Sequence, residues 1–284
     1  MQIEEQSSAV KLPWAHLRIP PFPQVAIRIL QLSENELTPM RQLSALISSE
    51  PAFSTEVLTI ANSAMYPHRF PITSVLQAIA VLGTNSLKGL CLTVGVRAYL
   101  GSSLHNQSLR AIWRHSMACG LIAHQLAEAG TIDKDAAYSA GVMHDIGRLA
   151  LAVISPQKYA ALLEKHHGSP VSALEAEREL FGFDHCEAGR HLVADWKLPP
   201  NFKAVVSAHH ALRRKEDPWN LAGLINVSCR IADAVGFTVF PGCEVMPYLD
   251  LLQELPERER RSFCPDRELL AFDVCSKINA AEVA

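Results

Sequence analysis

Strand-like alternation is almost absent from this chain of 284 residues, and so is any Cys-x-x-Cys pair. The seven cysteines (Cys91, Cys119, Cys186, Cys229, Cys243, Cys264 and Cys275) are odd in number and widely spaced. That argues against a disulfide framework and a structural zinc ribbon, and for reduced, mostly buried thiols in a cytoplasmic, bacterial-type protein. No charge of one sign dominates: the formal net charge is -3 and the pI is near 6.5. Such a chain has no electrostatic footprint for duplex nucleic acid, although a small basic patch can still hold a phosphate. Residues 1–17 contain no basic region followed by an apolar run, so no secretory signal is expected. The most apolar stretch, 75–100, is interrupted by Asn85, Lys88 and Arg97 and by three glycines. A bilayer span needs about 20 mostly apolar residues, so buried helices are expected there and no membrane partner. With 49% hydrophobic and 19% charged residues, the chain is neither disordered nor of low complexity, and it can bury one large core or two modest ones.

Histidine is what the sequence has in excess. Ten of the twelve lie between His105 and His210. The surrounding pattern is helical. Helices are expected at 25–32, at 38–50 with Thr38 as N-cap, and at 54–64, 72–82 and 86–100, with Pro or Gly at nearly every junction. Longer ones follow at 108–129, 134–154, 169–180, 184–196 (opened by an Asp184/Glu187 capping box), 201–212 and 220–235. Residues 101–106 are the best boundary between subdomains. The expected architecture is all-α: a helical N-terminal subdomain (1–104), a compact multi-helix subdomain carrying the chemistry (105–240) and a helical extension (241–284).

Four of these helices offer an inward polar group. His115 shares a face with Ile112, Cys119, Ile122 and Leu126. His144, with Asp145 beside it, shares a face with Ala140 and Gly141. His209 continues the stripe of Phe202, Val205 and Val206, with His210 adjacent. Asp233 lies near the face of Ala222 and Cys229. Gly141 and Gly147 permit close approach of neighbouring helices. Inward acids and histidines are costly unless paired or bound to a cation. Nitrogen and carboxylate donors together suit zinc, iron, manganese or nickel. A single His-Asp dipeptide means little in a chain with twelve His and ten Asp; the set across four helices carries the reading. His166-His167 precedes a Gly-Ser-Pro loop and is expected to be solvated, and His124 and His191 read as structural.

The segment His115 … His144-Asp145 … Asp233 resembles the metal signature of the HD superfamily of phosphohydrolases, and GVMHDIGRLAL is similar to its eponymous helix. Residues 47–83, ISSEPAFSTEVLTIANSAMYPHRFPITSVLQAIAVLG, resemble the N-terminal signature of the HDOD family, the HD-related output domains of bacterial signalling. FDHCEAGRHLVADWKLPPNFKAVVSAHH fits the same family. The resemblance runs over about 20–236. It implies an all-helical regulatory module, and many members of the family lack the metal ligands. Here His115, His144, Asp145 and Asp233 occupy the four superfamily positions. His185 and the His209-His210 pair stand where the cyclic-dinucleotide phosphodiesterase branch places further ligands, and Arg148 stands where that branch has a phosphate-binding lysine. Two features of that branch are missing: Ala111 replaces a glutamate, and HHALRRKEDPW follows in place of Gly-Tyr-Pro.

Three readings follow. One is a signalling protein whose pocket binds one or two divalent metal ions, a phosphate-containing small molecule or both, and whose input and partner are other signalling proteins. Another is an active phosphohydrolase using metal-bound hydroxide, with Asp145 and Arg148 as catalytic residues and Arg148 stabilising charge on the phosphoryl oxygens. In the last, the same groups hydrogen-bond to one another in a core without an ion. Substrate and oligomeric state stay open.

Overall fold

Capping side chains open at least five of the described helices, and prolines stand in the first turn of at least three more. The computed structural model describes residues 19–32, 39–167, 170–211, 213–214, 217–264 and 266–283, so Thr38, Ser169, Leu212 and the N-terminal residues 1–17 lie outside it. The order is α1 (Gln24–Leu32), α2 (Met40–Ser48), α3 (Pro51–Ala61), α4 (Val75–Leu82), α5 (Thr84–Leu100), a 3-10 turn (Gly101–His105), α6 (Gln107–Ala127), α7 (Lys134–Met143), α8 (Ile146–Ile154), α9 (Pro156–Lys165), α10 (Pro170–Phe181), α11 (His185–Asp195), α12 (Pro200–Ala208), α13 (Leu221–Ala234), α14 (Tyr248–Gln253), α15 (Glu257–Ser262) and α16 (Arg267–Val283). There is no strand among the described residues.

Ser74, Asn106, Asp133 and Asn220 each accept a backbone N–H two or three residues into the helix they open. Asp184 and Glu187 form the expected capping box of α11. Pro51, Pro156 and Pro200 sit in the first turns of α3, α9 and α12, where a missing N–H costs nothing. This shifts one expected start: Pro51 opens α3 rather than merely ending α2, so the helix runs three residues earlier than 54–64. The helix expected at 72–82 starts only at Val75, where the Ser74 cap turns the chain.

One expected helix is two. Residues 134–154 break at His144-Asp145, where Asp145 takes φ -99° and ψ 24°. The His144 ring hydrogen-bonds the Gly141 carbonyl (2.6 Å), and the Asp145 side chain turns inward to Arg148. Both side chains serve the interior; His144 keeps helical angles and Asp145, in the sparsely populated bridge region, breaks the helix. α12 likewise stops at Ala208, short of 212, so that His209 and His210 turn inward together.

α6 runs through the centre, packed along α7 and α13, while α8 packs on α11 and α11 on α12. Two glycine contacts fix these spacings. A Cβ on Gly141 would lie 2.6 Å from the Gly120 Cα, and one on Gly147 would lie 1.9 Å from the His185 carbonyl oxygen. The N-terminal helices join the same continuous core. Phe22 stacks on Trp196 (centroids 5.2 Å) and meets Tyr99 at 5.5 Å, and the Gln31 amide donates to the Trp196 carbonyl at 3.2 Å. At the far end Arg97 donates to the Ala281 carbonyl at 3.0 Å, tying α16 back to α5. Among the described residues no helix is long and apolar enough to cross a membrane.

Candidate metal centre

The helix ends gather the polar residues. His115 comes from the middle of α6, His144 and Asp145 from the α7–α8 break, and Arg148 from the first turn of α8. His185 is the first residue of α11, and His209 and His210 follow the last turn of α12. His115, His144, Asp145, Arg148, His185 and His209 are all no more than 3% exposed. His210 is half-buried.

Two donor groups result. Asp145, His185, His209 and His210 each bring one ligand atom within 4.8 Å of the others, and His115, His144 and Cys229 do the same. In the first group His185 Nε2 lies 3.3 Å from His209 Nε2 and 3.1 Å from His210 Nε2, with His209 Nε2 3.1 Å from Asp145 Oδ1. Asp145 Oδ2 faces the second group, 3.7 Å from His144 Nε2 and 4.0 Å from His115 Nε2.

Outward oxygens fix the rings. His115 Nδ1 donates to the Phe237 carbonyl (2.8 Å), His144 Nδ1 to the Gly141 carbonyl (2.6 Å) and His185 Nδ1 to Glu177 Oε2 (2.6 Å). In each ring the other nitrogen, Nε2, then points inward with a lone pair, the pattern by which outer oxygens orient metal-binding imidazoles. The Asn226 amide donates to the carbonyls of His209 and Ala211, both at 2.9 Å, and holds the turn that carries the His pair.

Burial, then the neighbouring rings, holds His144 well below the ordinary imidazole range. Burial also lowers His210, assisted by His209, His185 and Arg148, and it lowers His209 in spite of Asp145. Against burial, Arg148 and the adjacent rings keep Asp145 well below the usual carboxylate range. Against burial, His185 and Arg148 bring Glu177 down to about 2. Against burial and the Arg148 charge, Glu177 lifts His185 to about 10. In this arrangement Arg148 Nη2, a permanent donor, faces His185 Nε2 at 3.1 Å, so Nε2 accepts there and the ring proton sits on Nδ1 against Glu177.

These donors fit a divalent cation. Several imidazole nitrogens and a carboxylate converge in a largely buried space with His210 at its open side, and His144 Nε2 is buried with no hydrogen-bond partner. Without a cation such a cluster is costly. Arg148 partly offsets it: Nε donates to Asp145 Oδ2 at 3.0 Å and Nη1 lies 3.7 Å from Glu177 Oε1. Its guanidinium is covered by the Phe240 ring at 5.1 Å, against which His166 packs at 5.0 Å. His166 is therefore part of the cover, not the solvated loop residue that the sequence predicts.

Asp233 stands elsewhere than its companions. Its Oδ1 is 3.4 Å from His115 Nδ1, on the outer side of that ring, and it belongs to neither convergent group. Burial raises its pKa. His124 and His191 join neither group. Sequence reasoning misses Glu177, Cys229 and Asn226 as parts of the site. A signal existed for Glu177: it lies four residues after Ala173 and four before Phe181, an acid on an apolar stripe, as Asp233 is on α13.

Glu177 orients His185 from outside the donor group, and Tyr159 donates to its other oxygen at 2.7 Å. Glu177→Gln is expected to weaken metal binding by about 10–100-fold, the usual cost of losing such a partner. Competition titration against a chelator measures it, and an unchanged affinity would remove Glu177 from the site.

The sequence model of the HDOD domain family matches residues 19–212. The chain belongs to the HDOD domain family. That span contains every convergent histidine and Asp145, while Cys229 and Asp233 lie beyond it. The HDOD chain is similar to an HDOD domain protein of unknown function from Geobacter sulfurreducens (22% identity, 94% of this chain and 92% of that one, TM-score 0.67). It is also similar to a Shewanella amazonensis protein provisionally named a phosphohydrolase (19% identity, 93% and 94%, TM-score 0.63). Both establish the all-helical HDOD fold. An uncharacterized protein of Treponema pallidum is 26% identical over 242 residues, 81% of this chain; the chain spans about half that relative's length (47%).

Proposed function

We propose that this HDOD chain is a signalling module that holds one or two divalent transition-metal ions in its buried His/Asp pocket and recognises a phosphate-containing small molecule beside them. The position of Asp145 carries the reading. Its Oδ1 faces His209 and His185 at 3.1 and 3.4 Å, and its Oδ2 faces His144 and His115 at 3.7 and 4.0 Å. One carboxylate thus serves two nitrogen groups. His185, His209 and His210 with Asp145 would hold one ion, and His115 and His144 with the other Asp145 oxygen a second, with Asp233 steadying the outer nitrogen of His115. Iron, manganese, zinc and nickel all suit such donors.

A bound ion supplies Lewis-acid polarisation of a phosphoryl oxygen. The protein's own residues do the rest. Arg148 Nη1 is buried with no hydrogen-bond partner and can donate to an anionic oxygen. Glu177 keeps His185 aimed inward, and Phe240 and His166 keep water from the guanidinium. The near-complete burial of the donors favours ligand-dependent signalling to another protein over rapid turnover. Arg148 Nη1, with no hydrogen-bond partner and only the Glu177 ion pair at 3.7 Å, supports the second reading, a metal-dependent phosphohydrolase acting on a nucleotide or cyclic-dinucleotide phosphoester.

Elemental mass spectrometry on tag-free protein tests the pocket. About one or two metal equivalents are expected in the wild type and almost none in the His144→Ala/Asp145→Ala double variant. A wild type that stays metal-free after reconstitution overturns the reading. Phosphate release that is present in the wild type and absent from the double variant selects the hydrolase.

A further inference from the structure

Cys229 lies on α13, one turn before Asp233, and is 1% exposed. Its Sγ is 3.4 Å from His115 Nε2, and together with His144 Nε2 these atoms lie within 4.8 Å of one another. A buried thiol beside one imidazole is unexceptional. Here the third member, His144 Nε2, is buried and without any hydrogen-bond partner. The other buried thiol nearby, Cys119, is directed to the Ile225 carbonyl at 4.0 Å instead.

We propose that Cys229 is a thiolate ligand of the inner ion site, completing a His115, His144, Cys229 and Asp145 set of four donors. The inference rests on the metal-pocket reading and deepens it. The two sites then differ in kind. The outer one has three imidazoles and a carboxylate oxygen, a set that suits iron, manganese, nickel and zinc alike. The inner one has two imidazoles, a carboxylate oxygen and a soft sulfur, which selects zinc over manganese. Four donors of this type match the tetrahedral preference of zinc. Cysteine binds metal as the thiolate, so loading the inner site releases the Cys229 proton to solvent.

Cobalt(II) titration into metal-free, full-length protein tests this without any activity assay. The wild type and Cys119→Ser are expected to develop the near-ultraviolet thiolate-to-cobalt charge-transfer band, and Cys229→Ser to bind cobalt without it. Cobalt loading of the wild type with no such band overturns the ligand role and leaves the pocket reading standing. A band that survives Cys229→Ser and disappears in Cys119→Ser also overturns it. No cobalt binding at all removes both. Should Cys229→Ser fail to fold, zinc-edge X-ray absorption on the wild type decides: a sulfur scatterer at about 2.3 Å is expected beside nitrogen and oxygen at about 2.0–2.2 Å, and a shell of nitrogen and oxygen alone rejects the proposal.

Discussion

Asp145→Asn is expected to lower the metal content of the purified protein at least tenfold, because even partners outside the ligand set are worth about 10–100-fold in affinity. The substitution keeps the shape and removes the charge from the one group that faces both donor clusters. It also acts on the metal-free protein. Arg148 is 2% exposed, and its Nε donates to Asp145 Oδ2 at 3.0 Å. Without that carboxylate, the nearest acid partner of the guanidinium is Glu177 at 3.7 Å. Removing one partner of a buried pair leaves an uncompensated charge and costs about 3–5 kcal/mol. Elemental analysis and denaturant unfolding of the metal-free forms measure the two effects separately. A variant with wild-type metal content and an unchanged unfolding midpoint would show that Asp145 is neither ligand nor charge partner.

Gly147→Ala is expected to be as damaging, for a purely steric reason. The added Cβ would lie 1.9 Å from the His185 carbonyl oxygen and 2.6 Å from the Gly189 nitrogen. Both are backbone atoms of α11 and cannot rotate away, so α8 and α11 must separate. Overpacking of this severity costs about 3 kcal/mol or more. The separation also draws His185 away from Arg148 and Asp145, so metal affinity is expected to fall with stability. Gly189→Ala loads the neighbouring α11–α12 contact more gently: its Cβ meets the Val206 Cβ at 3.2 Å, which asks for a shift of only a few tenths of an ångström, and the α8 atoms lie at 3.6 Å. Unfolding midpoints ordered Gly147→Ala well below Gly189→Ala, itself below wild type, are the expected result. Equal midpoints for all three would contradict the tight α8–α11 contact.

Helicity, most helix starts, and Asp145 with the five histidines of the two donor groups were legible in the sequence, whereas Cys229 was missed and Asp233 was wrongly counted among the converging donors. The Asp184/Glu187 box was legible because a short polar side chain reaches a free N–H within one turn, a relation contained in a few consecutive residues, whereas the Ser74 cap that delays α4 was not. His115 faces inward as the 3.6-residue period requires. The break at His144-Asp145 was not legible, because its local sequence continues the helical pattern. It exists because both side chains find partners inside: Gly141 for one, and Arg148 and His209 for the other. Nor does any spacing along the chain bring Glu177 to His185, Cys229 to His115 or Asn226 to the His209 turn. Those contacts depend on how α10, α11, α12 and α13 pack around α6 and α8. The sequence by itself determined which chemical groups the interior holds. The tertiary structure decided which of them converge, dividing them between two sides of Asp145 and setting Asp233 against the outer nitrogen of His115, because long-range packing and not periodicity fixes the distance between residues on different helices.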